Sequence, residues 1–188
     1  FFVKHMICGG VENALIALSS RLVRMGNDVT IYVIAEKGEF MRKIPTQVRS
    51  EKIPMPEEVR EKIPVGGTRI SIRDSISRHR YVKAMGLLIS HLADLSGFAE
   101  LNVDFERIPR LNEGYDIAVD YHIHSPLLVR YLSEKVTAKK KLSWIHNDFS
   151  TTGYEIKSLQ EFLGCCDAFY GVSQKVVDEF VDIFPEYR

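Results

Sequence analysis

The sequence has little that would indicate a secreted, membrane-spanning or nucleic-acid-binding protein. Its 188 residues include three cysteines, two of them adjacent (Cys165 and Cys166), which is too few for the disulfide framework of a small secreted domain. Twenty-five Lys and Arg residues balance twenty-five Asp and Glu residues, so no overall field favours nucleic acid. No apolar run approaches the roughly 20 residues of a transmembrane helix. We therefore expect a cytoplasmic protein with reduced thiols and no nucleic-acid partner.

Three motifs of familiar α/β enzymes are also missing. Gly9 and Gly10 are not followed by the third glycine of the dinucleotide-binding fingerprint, which counts against a nicotinamide enzyme. The sequence contains no G-x-S-x-G nucleophile elbow, which counts against an α/β-hydrolase. It contains no G-x-x-x-x-G-K-[ST] phosphate loop either, which counts against a P-loop nucleotide hydrolase.

Hydrophobic periodicity nevertheless predicts alternating strands and helices within one domain. Val11, Leu15 and Leu18 recur every three or four residues between two apolar segments, which indicates a right-handed parallel βαβ unit. Residues 36–74 are less regular, and a long helical pattern follows over 81–95. The other predicted strands and helices cover 1–7, 29–34, 47–53, 68–72, 115–121, 126–135, 141–145, 154–164, 168–172 and 174–184. This alternation predicts an α/β, Rossmann-like, doubly wound and mostly parallel sheet with helices on both faces.

Gly9 and Gly10, where the first strand passes to a helix, are the first candidate site. Without Cβ atoms they allow a sharp turn and let a ligand approach the backbone. The following helix presents N–H groups and the positive end of its dipole, an arrangement that binds anions, most often phosphate. The alternative interpretation is a tight turn that binds nothing.

Polar residues follow several predicted strands, at the sheet edge where doubly wound folds bind ligands. His146, Asn147 and Asp148 form the richest group. An imidazole can bind a sugar hydroxyl or phosphate, or move a proton near neutrality, and a carboxylate accepts hydroxyl hydrogens. The alternative is a loop held by local turn hydrogen bonds. The remaining candidates for substrate binding are Glu12, His124 and Ser173.

A metal site is the less favoured interpretation of the histidines. His122 and His124 alternate and would share one face of a strand, but a further ligand such as His146 would be needed. We favour substrate contact or a structural role for His124 and predict no metal site.

Charge is unevenly distributed along the chain. Between Arg42 and Lys83, eleven basic residues outnumber five acidic ones. A solvated, loop-rich insertion is the simpler interpretation, and contact with an anionic membrane or acceptor is the alternative. The run Lys139–Lys141 is interpreted as a solvated loop before a strand.

Several motifs occur together in a recognisable order. Gly9, Gly10 and Glu12, followed by the turn at Gly26, look like a "GGxE … GxxVT" pattern. The other matching segments are 115–119 followed by His124, 141–148, 166–173 and 180–185. In this order they resemble the N-terminal domain of retaining glycosyltransferases with the two-domain GT-B architecture, of the family-4 type. Residues 36–112 match only loosely, as expected for an acceptor-binding region that differs between members.

The resemblance implies a nucleotide-sugar donor, a saccharide or glycolipid acceptor, and an active site in the cleft between two domains. Residues 1–188 would form the acceptor-side N-terminal domain, and the donor-binding domain with its paired glutamates would be absent from this chain. Gly9 and Gly10 would offer backbone N–H groups to the donor pyrophosphate, and His146 would be the catalytic residue beside the transferred sugar. No cofactor is implied, because the nucleotide sugar is a substrate.

We therefore expect a sugar transferase that retains the anomeric configuration and acts in surface polysaccharide biosynthesis, in the cytoplasm or at the inner face of the membrane. Two other functions stay open, namely a nucleotide-sugar epimerase of related fold and a non-catalytic sugar-binding module. The chain starts within an apolar segment without Met and ends directly after an amphipathic run, which predicts a piece of a longer protein.

Overall fold

A computed structural model describes residues 1–7, 9–61, 63, 103–121, 123, 125–149 and 156–188. The strands in these residues are β1 (Phe2–Val3), β2 (Thr30–Val33), β3 (Arg49–Lys52), β4 (Gly114–Asp120), β5 (Thr137–Ile145) and β6 (Ala168–Gly171). They form one all-parallel sheet in the order β3-β2-β1-β4-β5-β6. The helices are α1 (Gly10–Arg24), α2 (Glu57–Arg60), α3 (Pro126–Lys135), α4 (Ile156–Leu163) and α5 (Gln174–Ile183). Three 3-10 turns cover Glu39–Lys43, Phe105–Arg107 and Pro185–Tyr187.

Helices cover both faces of the sheet, because successive strand residues point to opposite sides. Val3 packs in a core cluster with Leu15 of α1, whereas the preceding Phe2 packs in a second cluster with Leu128 of α3. A third cluster joins Ile145 of β5 to residues of α4 and α5. These layers confirm the predicted Rossmann-like, doubly wound α/β fold.

Most predicted elements are present, with shifted boundaries. Two predictions are wrong. β1 ends at Val3 rather than near Ile7, and Lys139–Lys141 lie inside β5 rather than in a loop. The lysines are accommodated in the strand because their ammonium groups find partners elsewhere. Lys139 lies 2.6 Å from a carboxylate oxygen of Asp116, for example, and Lys141 donates to the carbonyl of Ser133 at 2.9 Å. The predicted strand 68–72 and helix 81–95 lie outside the described residues.

Two helices begin at serine N-caps, as their sequence predicts. Ser125 Oγ accepts the N–H of Leu128 at 3.4 Å at the start of α3, where Pro126 takes the first helical position. Ser173 Oγ accepts the N–H of Val176 at 3.3 Å at the start of α5. Both caps fix helix starts at the carboxyl edge of the sheet.

The loop after β1 is held by the loop after β2. Met6 N–H donates to the carbonyl of Lys37 at 3.0 Å, and Phe40 N–H donates to the carbonyl of Met6 at 3.0 Å. Gly38 lies between these bonds with φ +114°, and a Cβ there would stand 2.0 Å from the carbonyl oxygen of Met6. Only glycine allows this approach, so Gly38 sets the path of the chain towards Gly9.

We predict that Gly38→Ala lowers the free energy of unfolding by more than about 3 kcal/mol, because backbone strain and a backbone clash act together. Gly26→Ala is the matched control. Gly26 also has positive φ (+86°), but no atom of the described residues lies within 4 Å of its would-be Cβ, so we expect a loss of only about 1 kcal/mol. Urea unfolding of both variants measures the difference. If both variants lose the same free energy of unfolding, the close approach of Gly38 to the Met6 carbonyl oxygen is contradicted.

Candidate functional site

The carboxyl ends of β1 and β4 are neighbours, although the chain leaves these strands in opposite directions. β1 leads through α1 to β2 on one side, and β4 leads through α3 to β5 on the other. The two helices pack on opposite faces of the sheet. Such a point, where the strand order reverses, is where doubly wound folds open a crevice for ligands.

Gly9 and Gly10 form the start of α1 at this crevice. Gly9 is the N-cap residue, in extended backbone (φ −171°, ψ 171°), and it has no side chain to accept the first N–H groups of the helix. No described atom beyond its chain neighbours and its own helix lies within 4 Å of where a Cβ on Gly10 would be. The first N–H groups of this 15-residue helix are of the kind that binds an anionic ligand.

The side chain of Glu12 folds back over this helix start. A Cβ on Gly9 would lie 2.4 Å from Glu12 Oε2, and Glu12 is only 7% exposed. Burial raises the pKa of its carboxyl group, against a smaller opposing effect of a bond from its own backbone N–H. The carboxylate therefore takes the position of an anion at the helix start and competes with any phosphate that approaches.

His5, in the loop after β1, contacts Glu12 and was not singled out from the sequence. Its Nδ1 lies 3.7 Å from Glu12 Oε1. Burial, with the neighbouring charges of Lys4 and Lys37, lowers the pKa of His5 to about 4, so the imidazole is neutral at pH 7. His5 was not among the predicted site residues because residues 1–7 were predicted to be strand, and site residues were expected only beyond the strand ends.

His146 follows β5 directly and packs among aromatic rings. Its ring centroid lies 4.4 Å from that of Tyr121, and its plane is within 10° of the Trp144 ring plane at 6.1 Å. Burial lowers the pKa of His146 to about 4. The imidazole is therefore neutral near pH 7 and can donate or accept a hydrogen bond, but it carries no charge with which to attract phosphate.

The start of α1 and His146 lie on the same side of the sheet. Val11, in the first turn of α1, and Trp144, two residues before His146, pack against one core cluster that contains Tyr121. The His146 ring contacts both of these aromatic residues. The glycines and the imidazole are thus brought to one side of the carboxyl edge.

Asp148 and Ser173, by contrast, have structural contacts with α5. Asp148 accepts a hydrogen bond from Lys175 Nζ, and the next residue, Phe149, donates its N–H to Glu179 Oε2 at 2.9 Å. These bonds anchor the loop that carries His146 and Asn147 to α5. Ser173 is exposed and caps the same helix. Substrate binding by Asn147, Asp148 and Ser173 stays a prediction, and His124 lies outside the described residues.

A buried polar pair at the carboxyl edge of the sheet was not predicted from the sequence either. Asp120, the last residue of β4, is fully buried and accepts a hydrogen bond from the equally buried Ser143 Oγ at 2.9 Å. The two residues face each other in the parallel register of β4 and β5. The sequence feature that could have indicated this pair is a charged residue, Asp120, at the end of an otherwise apolar strand.

Among the described residues, no group of three or more His, Cys, Asp or Glu side chains is arranged to hold a metal ion. None of the helices described is both long and apolar enough to cross a membrane. A cavity of about 390 Å³ lies between β6 and α5, and none of His146, Asp148 and Ser173 is among the residues that line it.

We predict that the two buried histidines make stability depend on pH. Their pKa values fall from about 6.5 in the unfolded chain to about 4 in the fold, so the unfolded state binds more protons between these values. Their contribution is present above pH 6.5 and is lost as the pH falls towards 4, by at most about 3 kcal/mol per histidine. Unfolding of the wild type and His146→Phe at several pH values isolates one of them. If the difference in free energy of unfolding between the wild type and His146→Phe does not change between pH 6.5 and 4, His146 keeps an ordinary pKa.

No protein-family model matches the chain, and no curated protein or solved structure matches it either. What supports a function is therefore the arrangement of side chains at the carboxyl edge, together with the sequence pattern.

Proposed function

We propose that the chain is the acceptor-side domain of a retaining glycosyltransferase, which moves a sugar from a nucleotide-sugar donor to a saccharide or glycolipid acceptor. The observation that carries the proposal is the shared position of the α1 glycines and His146 on one side of the sheet, beside the reversal of strand order. A helix start suits the donor pyrophosphate, and a neutral imidazole suits the hydroxyl groups of a sugar. The glycosyltransferase-like motif order supports the same function.

In this proposal the two parts of the site have different tasks. The N–H groups at Gly9 and Gly10 bind the donor pyrophosphate through the helix dipole and hydrogen bonds. The neutral ring of His146 offers an N–H to the transferred sugar or to the departing phosphate. This stabilisation acts through one aimed donor rather than through charge.

The Glu12 side chain would have to move or take up a proton before the donor pyrophosphate binds. Its carboxylate covers Gly9, so a phosphate binds only if this side chain turns away or takes up a proton. The raised pKa of Glu12 reduces the free energy that protonation would require near neutral pH. Binding of the donor would then displace an internal anion by an external one.

The basic segment 42–83 is the second candidate contact, with an acceptor or an anionic membrane surface. In its described part, Arg49 and Lys52 are already paired with Glu113 at 3.2 Å and with Glu36 at 3.0 Å. These pairs reduce the positive charge available to anionic lipid. A membrane contact therefore has weaker support than the donor site.

The proposal is tested on a full-length protein in which residues 1–188 are followed by the expected donor-binding domain. We predict that His146→Phe keeps the ring contacts with Tyr121 and Trp144 and shifts the melting temperature by only a few degrees. Transfer from nucleotide sugars should nevertheless fall by about 10²–10³-fold, the effect of losing one transition-state hydrogen bond. His146→Gln, which keeps an N–H donor, should retain more activity than His146→Phe.

Other results would point elsewhere. Wild-type transfer by His146→Phe would remove His146 from the mechanism. Conversion of the nucleotide sugar without an acceptor would favour an epimerase, and sugar binding without any transfer would favour a non-catalytic module. The chain of residues 1–188 alone serves as the control, and we expect it to melt cooperatively but to transfer no sugar.

A further inference from the structure

Cys165 and Cys166 lie in the turn between α4 and β6, away from the candidate site. Their Sγ atoms are 3.8 Å apart, and both side chains are half-buried. The turn is fixed on both sides, since Cys166 N–H donates to the carbonyl of Leu163 at 2.9 Å and Asp167 N–H donates to that of Lys141 at 2.7 Å. Cys166 also lines the 390 Å³ cavity between β6 and α5, which leaves space for a small molecule beside its thiol.

The surroundings make the two thiols unequal. A hydrogen bond from Cys166, with smaller effects of the Lys141 ammonium and Ser133, holds the pKa of Cys165 below its ordinary value despite burial. The hydrogen bond to Cys165 and burial raise the pKa of Cys166. The thiolate is the reactive form of cysteine. These directions favour Cys165 as the attacking thiolate and Cys166 as its proton donor, and the single variants described below test this order.

We propose that Cys165 and Cys166 are a redox-sensitive pair, in which a hydroperoxide oxidises Cys165 and Cys166 then closes a disulfide between them. In the first step the Cys165 thiolate attacks one peroxide oxygen, the O–O bond breaks, and water or an alcohol leaves after protonation. In the second step Cys166 sulfur attacks the sulfenic acid at Cys165, the S–S bond forms, and water leaves with the Cys166 proton. The two thiols lose two electrons, which the peroxide accepts.

The disulfide bond between Cys165 and Cys166 would be readily reduced. The Cα atoms of adjacent residues are about 3.8 Å apart, whereas the Cα atoms joined by most disulfides are about 4.4–6.8 Å apart. An eight-membered ring at this turn is therefore strained, and strained disulfides are the easily reduced ones. A small thiol would return both cysteines to the reduced state and would itself become a disulfide. This inference does not depend on the proposed glycosyltransferase activity.

Mass spectrometry of the whole chain tests the proposal directly. Trypsin cleaves after Lys157 and Lys175 and nowhere between them, so both thiols fall in the peptide 158–175. After treatment with hydrogen peroxide and then iodoacetamide, we expect this peptide without alkyl groups and lighter by two hydrogen atoms than its reduced form. Dithiothreitol should restore alkylation of both cysteines. Full alkylation at both positions after peroxide treatment would overturn the proposal.

Single variants separate the two roles. Cys166→Ser should stop at the sulfenic acid of Cys165, trapped by dimedone, whereas Cys165→Ser should react at least ~10-fold more slowly. In urea the two variants should react at similar rates, because the difference depends on the folded surroundings. Equal rates in the folded chain, or faster reaction of Cys165→Ser, would contradict the assigned roles.

Discussion

The pairing of β1 with β4 is the constraint on which the rest of the structure depends. β1 has only two residues, and its register with β4 is set where Phe2 faces Asp120 and Tyr121 N–H donates to the carbonyl of Phe2 at 3.0 Å. Aromatic packing reinforces this short pairing, since the Phe1 ring packs edge-on against Tyr121, the residue that follows β4, at 5.7 Å. The pairing joins the β1-β2-β3 half of the sheet to the β4-β5-β6 half. It thereby creates the reversal of strand order at which the candidate site lies.

Burial, rather than charge, characterises the candidate site. His5 and His146 are both held neutral by their surroundings, and burial raises the pKa of Glu12. A phosphate at the start of α1 would be attracted by the N–H groups and the dipole of that helix, and the charges of Lys4 and Lys37 lie close enough to lower the pKa of His5. The position of these N–H groups depends on the path of the loop between β1 and α1. That path is set by Gly38, which lies in the loop after β2.

The sequence was sufficient where short-range physics decides the structure. The serine caps at Ser125 and Ser173 and the buried, β-branched strand β2 follow from neighbouring residues alone. The bond between Asp148 and Lys175 and the buried pair of Asp120 and Ser143 could not be predicted in this way. Both depend on contacts between residues more than twenty positions apart.

The same limit explains the errors at the strand boundaries. Lys139–Lys141 are typical of a solvated loop when only their neighbours are considered, but the backbone register of β5 with β4 extends the strand through them. Within the candidate site, the positions of Gly9, Gly10 and His146 at one sheet edge could be predicted from the topology. The contacts that tune them could not, because they arise only when distant segments pack together.

The most direct test of the central claim, an anion site at the start of α1, is an NMR titration of the ¹⁵N-labelled chain with inorganic pyrophosphate. The account predicts saturable shifts of the amide signals of residues 10–13. It also predicts at least ~10-fold weaker binding by Gly10→Val, whose side chain would block the approach while the fold is retained. Shifts that are absent from this segment, or unchanged affinity in a folded Gly10→Val variant, would contradict it.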